Sequence, residues 1–576
     1  MNRKRAIILN TAIIFGFFAI FLRLFSLMIV DHKALSERAK LQQIKTEDIQ
    51  AMRGNIYDRR GREFAVNLEL ESLYCDSTEV DIDKEKVNKL SAVLGMEPKA
   101  VRAKFEPEKR FTWIDRKLSP QKAGAVKALL GISANAETEA AEGFGFVPEA
   151  KRFYPKGTLA AHVIGAVGLD NQALEGVELK YNRYLKTSGR KIHLERDASG
   201  RTLSLGVNME AKGDDVVLTL DEGLQYIVER ELDRAMAQWR AVAGTVIMMD
   251  PFTGEILALA NRPTYDLNEL NRAGRNEVRD RAITDVYEPG STFKIVIGTA
   301  ALEEKIFTTE STFDVSRGSI EVGGKVVHDA HRHGVLTFQE VIQKSSNVGS
   351  IMVGMRLGKE KIYEYAKRYG FGDDTGIDLP GEVSGWIRKP ERWSATSIGA
   401  VPIGQEVAVT PLQVLRAYSA IANGGYLVSP HVVSGVRTHD GQTVASFGRT
   451  ERKQVISAKT AAIFKKILET VVEEGGTATE ASVAGNKVAG KTGTAQLIDR
   501  RTKRYSKDRY VSSFVGFVPA DSPRIAMIVV VYEPKGQIYG GVVAGPVFRN
   551  IADQALSYLD VPRDDVQDKN LLLVSK

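Results

Sequence analysis

The chain has 576 residues, of which 43% are hydrophobic and 26% charged, and 79 basic against 72 acidic residues give a formal net charge of +7. This length excludes a single hydrophobic core and predicts two or more domains. The nearly balanced charge argues against a nucleic-acid partner. The single cysteine, Cys75, excludes an intrachain disulfide.

The N-terminus combines a basic cluster with a long apolar segment. Basic residues at positions 3–5 precede residues 6–30, which are apolar apart from Asn10, Arg23 and Ser26. Because about 20 helical residues span a bilayer, one crossing is predicted, with the basic tail 1–5 in the cytoplasm. A cleaved signal peptide is the alternative, but the long segment has no A-x-A-like site and favours an uncleaved anchor. Arg23 could snorkel or contact another membrane helix.

Residues 31–212 mix charged helical stretches with short strands. Residues 31–49 are predicted to be a polar stalk of helical character, and 83–94 and 98–105 to be helices. Residues 210–215 form a linker or turn, after which a strand and the helix Glu222–Trp239 are predicted. Further strands are predicted at 244–250 and 255–260, joined as a hairpin by the turn Pro-Phe-Thr-Gly, and at 513–518 and 525–532. Helices lying against an antiparallel sheet are therefore expected.

Three short motifs carry the chemistry: Ser291-Thr292-Phe293-Lys294, Ser345-Ser346-Asn347 and Lys491-Thr492-Gly493. They supply a nucleophile with a nearby lysine, a hydroxyl–amide pair, and a second lysine beside a threonine. These side chains suit the formation of a serine ester with an acyl donor that ends in a carboxylate. The chemistry needs no metal or other cofactor.

The S-x-x-K pattern also occurs at 119–122 and 188–191. A proline and a glycine interrupt these two copies, so neither lysine is predicted to lie one helical turn from its serine. At Ser291 a Pro-Gly pair comes first and an apolar run follows, which predicts a turn feeding a buried helix. Residues i and i+3 share a helix face, so Lys294 is expected beside Ser291.

With these motifs, nearly the whole chain resembles the class B penicillin-binding proteins, the membrane-anchored transpeptidases of bacterial cell-wall synthesis. The other motifs that carry the resemblance are Arg53-Gly54 with Asp58-Arg59 and Gly61, Leu218–Asp221, Asp250-Pro251 with Thr253–Ile256, Tyr287–Gly290, Gly404–Glu406, Thr410–Gln413 and Ala489–Ala495. Asn347 and the ending Tyr539-Gly540-Gly541 with Pro546-Val547-Phe548 favour the division-specific (septal) type. An elongation-specific or sporulation-specific member is the alternative.

The resemblance implies an α+β multidomain fold. The expected parts are a cytoplasmic tail (1–5), a transmembrane anchor (6–30), an elongated α/β pedestal of dimerisation type (31–212), a penicillin-binding or transpeptidase domain (213–560) and a polar C-terminal tail (561–576). The transpeptidase domain is expected to be an antiparallel sheet covered by helices, as in serine β-lactamases. The anchor would hold the protein in the cytoplasmic (inner) membrane, with the catalytic domain on its outer face.

The resemblance also implies the activity of a serine-type D-Ala-D-Ala transpeptidase. Ser291 would attack a stem peptide ending in D-Ala-D-Ala, and an amine of a neighbouring stem peptide would take the acyl group; β-lactams would acylate the same serine. Burial and the charge of Lys491 would lower the pKa of Lys294, the general base. The remaining expected roles are proton relay by Ser345, a bond to the peptide amide by Asn347, and carboxylate binding by Lys491, Thr492 and Thr494. Gly493 is also expected to contact the substrate, and the N–H groups of Ser291 and Thr494 to form an oxyanion hole.

Several alternatives stay open. A carboxypeptidase or β-lactamase would use water as the acceptor, and a weaker option is a β-lactam sensor. A non-enzymatic activator of a membrane glycan polymerase is another; the resemblance implies a SEDS-type polymerase and other division proteins as partners. The histidines at 328, 331 and 333, which lie close to Asp329 in the sequence, are interpreted as part of a charged loop rather than a metal site. The basic residues at 500–509 form a solvated hairpin or guide an anionic stem peptide or partner.

Overall fold

A computed structural model describes residues 3–33, 35–36, 44–49, 52–78, 80, 83–106, 109, 111–132, 143–187, 190–196, 202–207, 212–448, 452–499, 501–502 and 504–564. The chain forms two compact units. The first comprises Met1–Arg53, Asn67–Arg152 and Lys186–Gly213, and the second comprises Gly54–Val66, Phe153–Leu185 and Asp214–Lys576. Two segments from within the expected pedestal, 54–66 and 153–185, thus belong to the second unit.

The first unit begins with the predicted apolar helix. An α-helix over Arg3–Phe25 continues as a π-helix over Ser26–Val30. Among the described residues it is the one helix long and apolar enough to cross a membrane, and none of its most apolar window is buried. Its end is fixed by Asp31, whose carboxylate accepts from the Ser26 hydroxyl at 2.8 Å.

A three-stranded antiparallel sheet follows in this unit. Ile44–Ile49 pairs with Arg190–Arg196, which pairs with Thr202–Val207. The helical character predicted for residues 31–49 is therefore wrong over 44–49, because a partner strand about 140 residues later overrides the local preference.

A small α/β core completes the first unit. The strand Glu63–Cys75, which belongs to this unit from residue 67 onwards, pairs with Thr112–Leu118 and with Phe144–Phe153. Its helices are Lys84–Leu94, Pro98–Arg102 and Pro120–Leu130. The first of these confirms the helix predicted at 83–94: Asp83 caps it by accepting from the N–H of Lys86, and Gly95 ends it with a φ of +69°.

A five-stranded antiparallel sheet is the centre of the second unit. Its strands, in spatial order, are Ile256–Arg262, Ala243–Met249, Ile525–Tyr532, Tyr505–Val518 and Ala489–Ile498. The predicted hairpin and the predicted strand at 525–532 are confirmed. Since side chains alternate along a strand, Val246 and Met248 face one helical layer, and Ile247 and Met249 face the other.

Helices cover both faces of this sheet, as predicted. Glu222–Trp239 and Gly545–Tyr558 pack on one face, and Lys294–Glu303, Pro411–Ala422 and Ala458–Thr470 pack on the other. The helix predicted at 222–239 begins as expected because Asp221 accepts from the N–H of Gly223 at 2.8 Å. The further helices are Ala161–Ile164, Gly176–Lys180, Asn182–Leu185, Arg275–Val278, Arg281–Thr284, Phe338–Gln343, Asn347–Leu357, Lys359–Arg368, Ser397–Ala400 and Gly540–Val543.

A second group of strands joins residues from distant parts of the chain. Ile56–Tyr57 pairs in parallel with Asp215–Leu218, which pairs with Val433–Arg437, itself paired with Thr443–Ser446. Short hairpin-like pairs are Thr312–Asp314 with Val335–Thr337, Ser319–Val322 with Lys325–His328, Trp386–Ile387 with Val407–Ala408, and Tyr426–Leu427 with Lys453–Gln454. At the C-terminus Asp564 donates its N–H to the Gly485 carbonyl at 2.7 Å. The rest of the expected tail lies outside the described residues.

Candidate active site

Ser291 lies in a 3₁₀ turn, Gly290–Phe293, that leads directly into the helix Lys294–Glu303. Gly290 has a φ of +55°. A Cβ on Gly404 would lie 2.1 Å from the Gly290 carbonyl oxygen, and a Cβ on Gly290 would lie 3.1 Å from the Thr494 carbonyl oxygen. The two glycines therefore let the nucleophile turn lie against its neighbours more closely than any other residue would.

Lys294 is fully buried beneath this turn. Its Nζ donates to the Ser345 carbonyl at 2.7 Å and to Asn347 Oδ1 at 3.1 Å. Burial lowers the pKa of the Lys294 ammonium to about 7, against an opposing effect of the Asp329 carboxylate. The expected lowering by burial is confirmed, so a large share of this amine is neutral at neutral pH.

Ser345 connects both lysines to the nucleophile. Its hydroxyl donates to Ser291 Oγ at 2.9 Å and accepts from Lys491 Nζ at 2.9 Å, and Lys294 Nζ lies 3.3 Å away. Within the described part of the chain, no hydrogen bond joins Lys294 directly to Ser291. Ser345 holds this position with a φ of +57°, a left-handed conformation that costs energy for a residue with a Cβ.

Lys491 lies on the strand Ala489–Ile498, at the edge of the central sheet. It is buried, and its Nζ also approaches Thr492 Oγ1 at 3.3 Å. Burial, together with the charge of Lys294, holds the pKa of Lys491 well below its usual value. The expected repulsion between the two amines therefore acts on Lys491, and a doubly charged pair is disfavoured.

Thr492 and Thr494, which follow Lys491 on the same strand, contribute their side chains to the cleft. The Thr492 hydroxyl lies 3.0 Å from that of Thr477, and Thr494 Oγ1 accepts from the N–H of Gly540 at 3.1 Å. Both threonines thus keep a hydroxyl oriented within a fixed polar wall.

Gly493 is not among the described residues that line the cleft. A Cβ at this position would lie 2.4 Å from Ser513 Oγ and 3.0 Å from Thr292 Cγ2. Its lack of a side chain therefore brings the edge strand up to the nucleophile turn, which differs from the substrate contact expected for it.

The backbone of Thr494 faces the nucleophile. Its carbonyl oxygen approaches Gly290. In an antiparallel strand the N–H and C=O of one residue point to the same side, so the Thr494 N–H also points towards the turn. The N–H of Ser291 belongs to the first turn of a helical segment, where such groups lack helical partners. This arrangement is compatible with the expected oxyanion hole.

The carboxamide of Asn347 is engaged at both ends. Its Oδ1 accepts from Lys294, and its Nδ2 donates to the His328 carbonyl at 3.1 Å. One N–H of the amide remains to meet a ligand. Asn347 thus contacts the lysine as well as facing the cleft, a contact that the motif alone did not predict.

Sequence reasoning missed two acidic residues. Asp329 accepts from the Ser346 hydroxyl at 2.8 Å and from the N–H of Val348 at 3.0 Å. Glu288 lines the cleft and accepts from the Tyr505 hydroxyl at 3.1 Å, and burial raises its pKa. The position of Glu288 three residues before Ser291 was a usable signal. Asp329 stood out only as a neighbour of the histidines, and its contact with the second motif was not predicted because a hairpin creates it.

The histidine segment lies at the cleft, where His328 ends the strand Lys325–His328 and the residues after it form a loop. His328, His331 and His333 are among the residues that line it. No group of three or more His, Cys, Asp or Glu side chains suited to a metal occurs in the described ranges. The cleft has a volume of about 680 Å³ and contains Ser291, Ser345 and Asn347.

The competing motif at 119–122 is part of a helix start in the first unit. Ser119 Oγ accepts from the Lys122 N–H at 3.3 Å, and the Lys122 ammonium donates to the Leu94 carbonyl at 2.9 Å. Pro120 begins the helix, so the prediction that this lysine is not one turn from its serine is wrong. Ser119 instead caps the helix Pro120–Leu130 with its hydroxyl. Residues 188–189 of the other copy lie outside the described residues.

In the basic segment 500–509, the described residues lie after the strand Ala489–Ile498 and at the start of its partner strand Tyr505–Val518. Arg501 and Arg504 are exposed, whereas Arg509 pairs with Asp499 at 3.3 Å. Residues 500 and 503 are outside the described ranges. A guiding role for this segment remains a prediction.

Comparisons with known proteins agree with this site. A penicillin binding protein transpeptidase domain model matches residues 244–553, and a penicillin-binding protein dimerisation domain model matches 48–218. Stage V sporulation protein D of Bacillus subtilis is 35% identical over 98% of this chain and 88% of its own length. The peptidoglycan D,D-transpeptidase FtsI of Escherichia coli is 29% identical over 96% of this chain and 91% of its own length.

Solved structures share the fold. Penicillin binding protein 3 from Mycobacterium tuberculosis, complexed with aztreonam, has a TM-score of 0.69 and 28% identity, covering 90% of this chain and 98% of that one. Matches to both domain models, in order and over most of the sequence, leave one family. The chain belongs to the class B penicillin-binding proteins and is a transpeptidase of the division type.

Proposed function

We propose that this protein is a peptidoglycan D,D-transpeptidase that cross-links stem peptides through an ester on Ser291 during cell division. The observation that carries the proposal is the connected set of Ser291, Ser345 and two buried lysines, with 2.9 Å between the two serine hydroxyls. A nucleophile hydrogen-bonded to a relay that reaches a partly neutral amine is the arrangement that acyl transfer requires. The names of the FtsI and penicillin binding protein 3 relatives support peptidoglycan as substrate and β-lactams as inhibitors.

In the acylation step, Ser291 Oγ attacks the carbonyl carbon of the penultimate D-Ala. Its proton passes to neutral Lys294, with the Ser345 hydroxyl as the connecting group. The C–N bond to the terminal D-Ala then breaks, and Ser345 returns a proton to the leaving amine. An amine of a second stem peptide attacks the ester, loses a proton to the same relay and restores the Ser291 hydroxyl.

The substrate carboxylate would be held by Lys491, Thr492 and Thr494. A bound anion compensates the charge of Lys491, so binding is expected to return a proton to this amine. The N–H groups of Ser291 and Thr494 would stabilise the tetrahedral oxyanion, where losing one donor typically costs about 3 kcal/mol. The remaining N–H of Asn347 would bind the peptide amide, and Gly493 would act through the close approach it allows.

The protein is proposed to sit in the cytoplasmic (inner) membrane with residues 1–5 inside and the catalytic domain outside. The basic residues before the apolar helix support this orientation. Residues 31–212 would serve as the pedestal and 213–560 as the catalytic domain, with a SEDS-type polymerase and division proteins as partners. The likeness to a sporulation protein favours a sporulation-specific role as the second candidate; filaments on depletion would support division, and a defect confined to spores would support the alternative.

A fluorescent penicillin tests the proposal. The wild type should be labelled, and mass spectrometry should place the adduct on Ser291. Ser291→Ala should abolish labelling, whereas the matched variant Ser119→Ala should retain it. An adduct on Ser119 would refute the assignment, and release of only hydrolysed product in the presence of an acceptor amine would indicate a carboxypeptidase.

A further inference from the structure

Asp329 lies outside the three motifs, yet it accepts three hydrogen bonds from the second motif and the residue that follows it. It is half-buried and follows the strand Lys325–His328. One carboxylate oxygen accepts from the Ser346 hydroxyl at 2.8 Å. The other accepts from the N–H of Val348 at 3.0 Å and from the N–H of Asn347. A single carboxylate therefore holds the first turn of the helix Asn347–Leu357.

The same turn supplies the oxygen atoms that surround Lys294. The carbonyls of Ser345 and Ser346 accept from its Nζ at 2.7 and 3.2 Å, and Asn347 Oδ1 accepts at 3.1 Å. Ser345 is also the residue with a φ of +57°. A strained conformation persists only where its surroundings fix it, and Asp329 binds the backbone that follows directly.

The charges around Lys294 also indicate a role for Asp329. The Asp329 carboxylate, on the loop, acts on the pKa of the Lys294 amine, and Lys294 in turn acts on the pKa of Lys491, on the edge strand. Asp329 favours a proton on Lys294, whereas the charge of Lys294 disfavours one on Lys491. Asp329 is therefore the carboxylate beside the two buried amines, in a cleft that Glu288 and the three histidines also line.

We propose that Asp329 is a positioning residue for the acylation step, which fixes the Ser345–Asn347 turn around Lys294 and balances the charge of the two lysines. This inference rests on the proposed function, since it concerns the amine that accepts the Ser291 proton. Asp329 lines the cleft, but its hydrogen bonds within the described residues are to Ser346, Asn347 and Val348, so we expect it to act through the turn.

Three variants separate this role from a general effect on folding. Asp329→Asn keeps the shape and an accepting oxygen but removes the charge. Ser346→Ala keeps the charge and removes two hydrogen bonds of the Ser346 hydroxyl, the one donated to Asp329 and the one accepted from the N–H of Gly349. Asp314→Asn is the matched control, because Asp314 is exposed and likewise accepts a backbone N–H, that of Ser316, at 3.0 Å. Each is measured, with the wild type, by thermal melting and by the rate of Ser291 acylation with a fluorescent penicillin from pH 5 to 9.

For Asp329→Asn, the plateau rate is expected to fall by about tenfold to a hundredfold, as for a displaced catalytic group. The acid side of its pH profile should move to lower pH by about half a unit or more, because loss of the carboxylate favours the neutral amine. Ser346→Ala should lower the plateau without moving the profile, and Asp314→Asn should match the wild type.

An unmoved profile and an unchanged plateau in Asp329→Asn would overturn the inference. So would a fall in melting temperature with a proportionate loss at every pH, which indicates a structural role alone. If Asp329→Asn does not fold, an unchanged plateau in Ser346→Ala overturns the inference and a lowered plateau supports it. A wild type that penicillin does not label on Ser291 would instead count against the proposed function.

Discussion

The hydroxyl of Ser345 donates to the hydroxyl of Ser291 across 2.9 Å, from a residue whose backbone is left-handed. Ser345 thus combines the relay hydroxyl with a strained backbone conformation. Substitutions can separate the relay role from the backbone strain, because glycine adopts the left-handed region without the cost of about 1–2 kcal/mol that other residues incur.

We therefore predict that Ser345→Ala and Ser345→Gly both lose acylation by about a hundredfold or more, because both lack the relay hydroxyl. Ser345→Gly should nevertheless be the more stable of the two variants. Stopped-flow labelling with penicillin and thermal melting measure the two effects. Acylation by Ser345→Ala at the wild-type rate would show that the proton takes another route.

Acylation should depend on pH through Lys294. Burial lowers the pKa of this amine to about 7, and only the neutral form accepts a proton. The rate should therefore rise between about pH 6 and pH 8 and then level off. The check is a pH–rate profile, with melting curves in the same buffers as the control. A rise centred near 10, the pKa of a free lysine, would contradict the assignment.

Lys491 should confer selectivity for a free carboxylate. Wild-type protein is expected to react with a penicillin about a hundredfold faster than with its methyl ester, because the ester presents no anion. In Lys491→Ala this preference should collapse. The ratio of the two rates is the diagnostic, since Lys491 also contacts Ser345 and its loss slows both reactions. A preserved ratio would place the carboxylate elsewhere.

Gly404 should tolerate no side chain. A Cβ there would meet the Gly290 carbonyl at 2.1 Å, and its φ of +76° adds a backbone cost. Gly376 has a φ of +80° and open space around it, so Gly376→Ala incurs the backbone cost alone. Gly404→Ala should lose about 1–3 kcal/mol more stability than this control in denaturant unfolding. Equal losses of stability in the two variants would mean that the backbone around Gly290 moves to make room for the added methyl group.

Stability should decline in mild acid because of His162. Burial lowers the pKa of this imidazole from 6.5 to about 4, and its ring bonds the Glu277 carbonyl at 2.7 Å. The unfolded chain therefore binds a proton first as the pH falls. The neutral His162 side chain makes its full contribution to the free energy of unfolding above pH 6.5. This contribution is lost as the pH falls towards 4, a decrease of about 3 kcal/mol at most.

His162→Gln keeps a side-chain donor but does not titrate. Urea unfolding at pH 7.5, 6 and 5 should show a shallower loss of stability for this variant than for the wild type. Identical slopes would assign the acid sensitivity to other groups.

Much of the second unit could be predicted because local signals agree with the fold. The helix after Asp221 and the strand at 525–532 have caps, periodicity and length that favour one outcome. The strand at 44–49 and the contact of Asp329 depend on partners that are distant in sequence. Pro120 shows a third case: the same residue that breaks a helix interior begins a helix when a serine caps it. Spacing identified the three motifs, but the path through Ser345 required their geometry.

The parallel pairing of Ile56–Tyr57 with Asp215–Leu218 has a practical consequence for recombinant work. A soluble fragment cut at residue 213 would lose Ile56, a fully buried residue of the catalytic core, and would leave an open strand edge. Such edges recruit other chains and promote aggregation. A well-behaved secreted form should remove the membrane helix and keep the chain from about residue 52, although the catalytic motifs begin more than two hundred residues later.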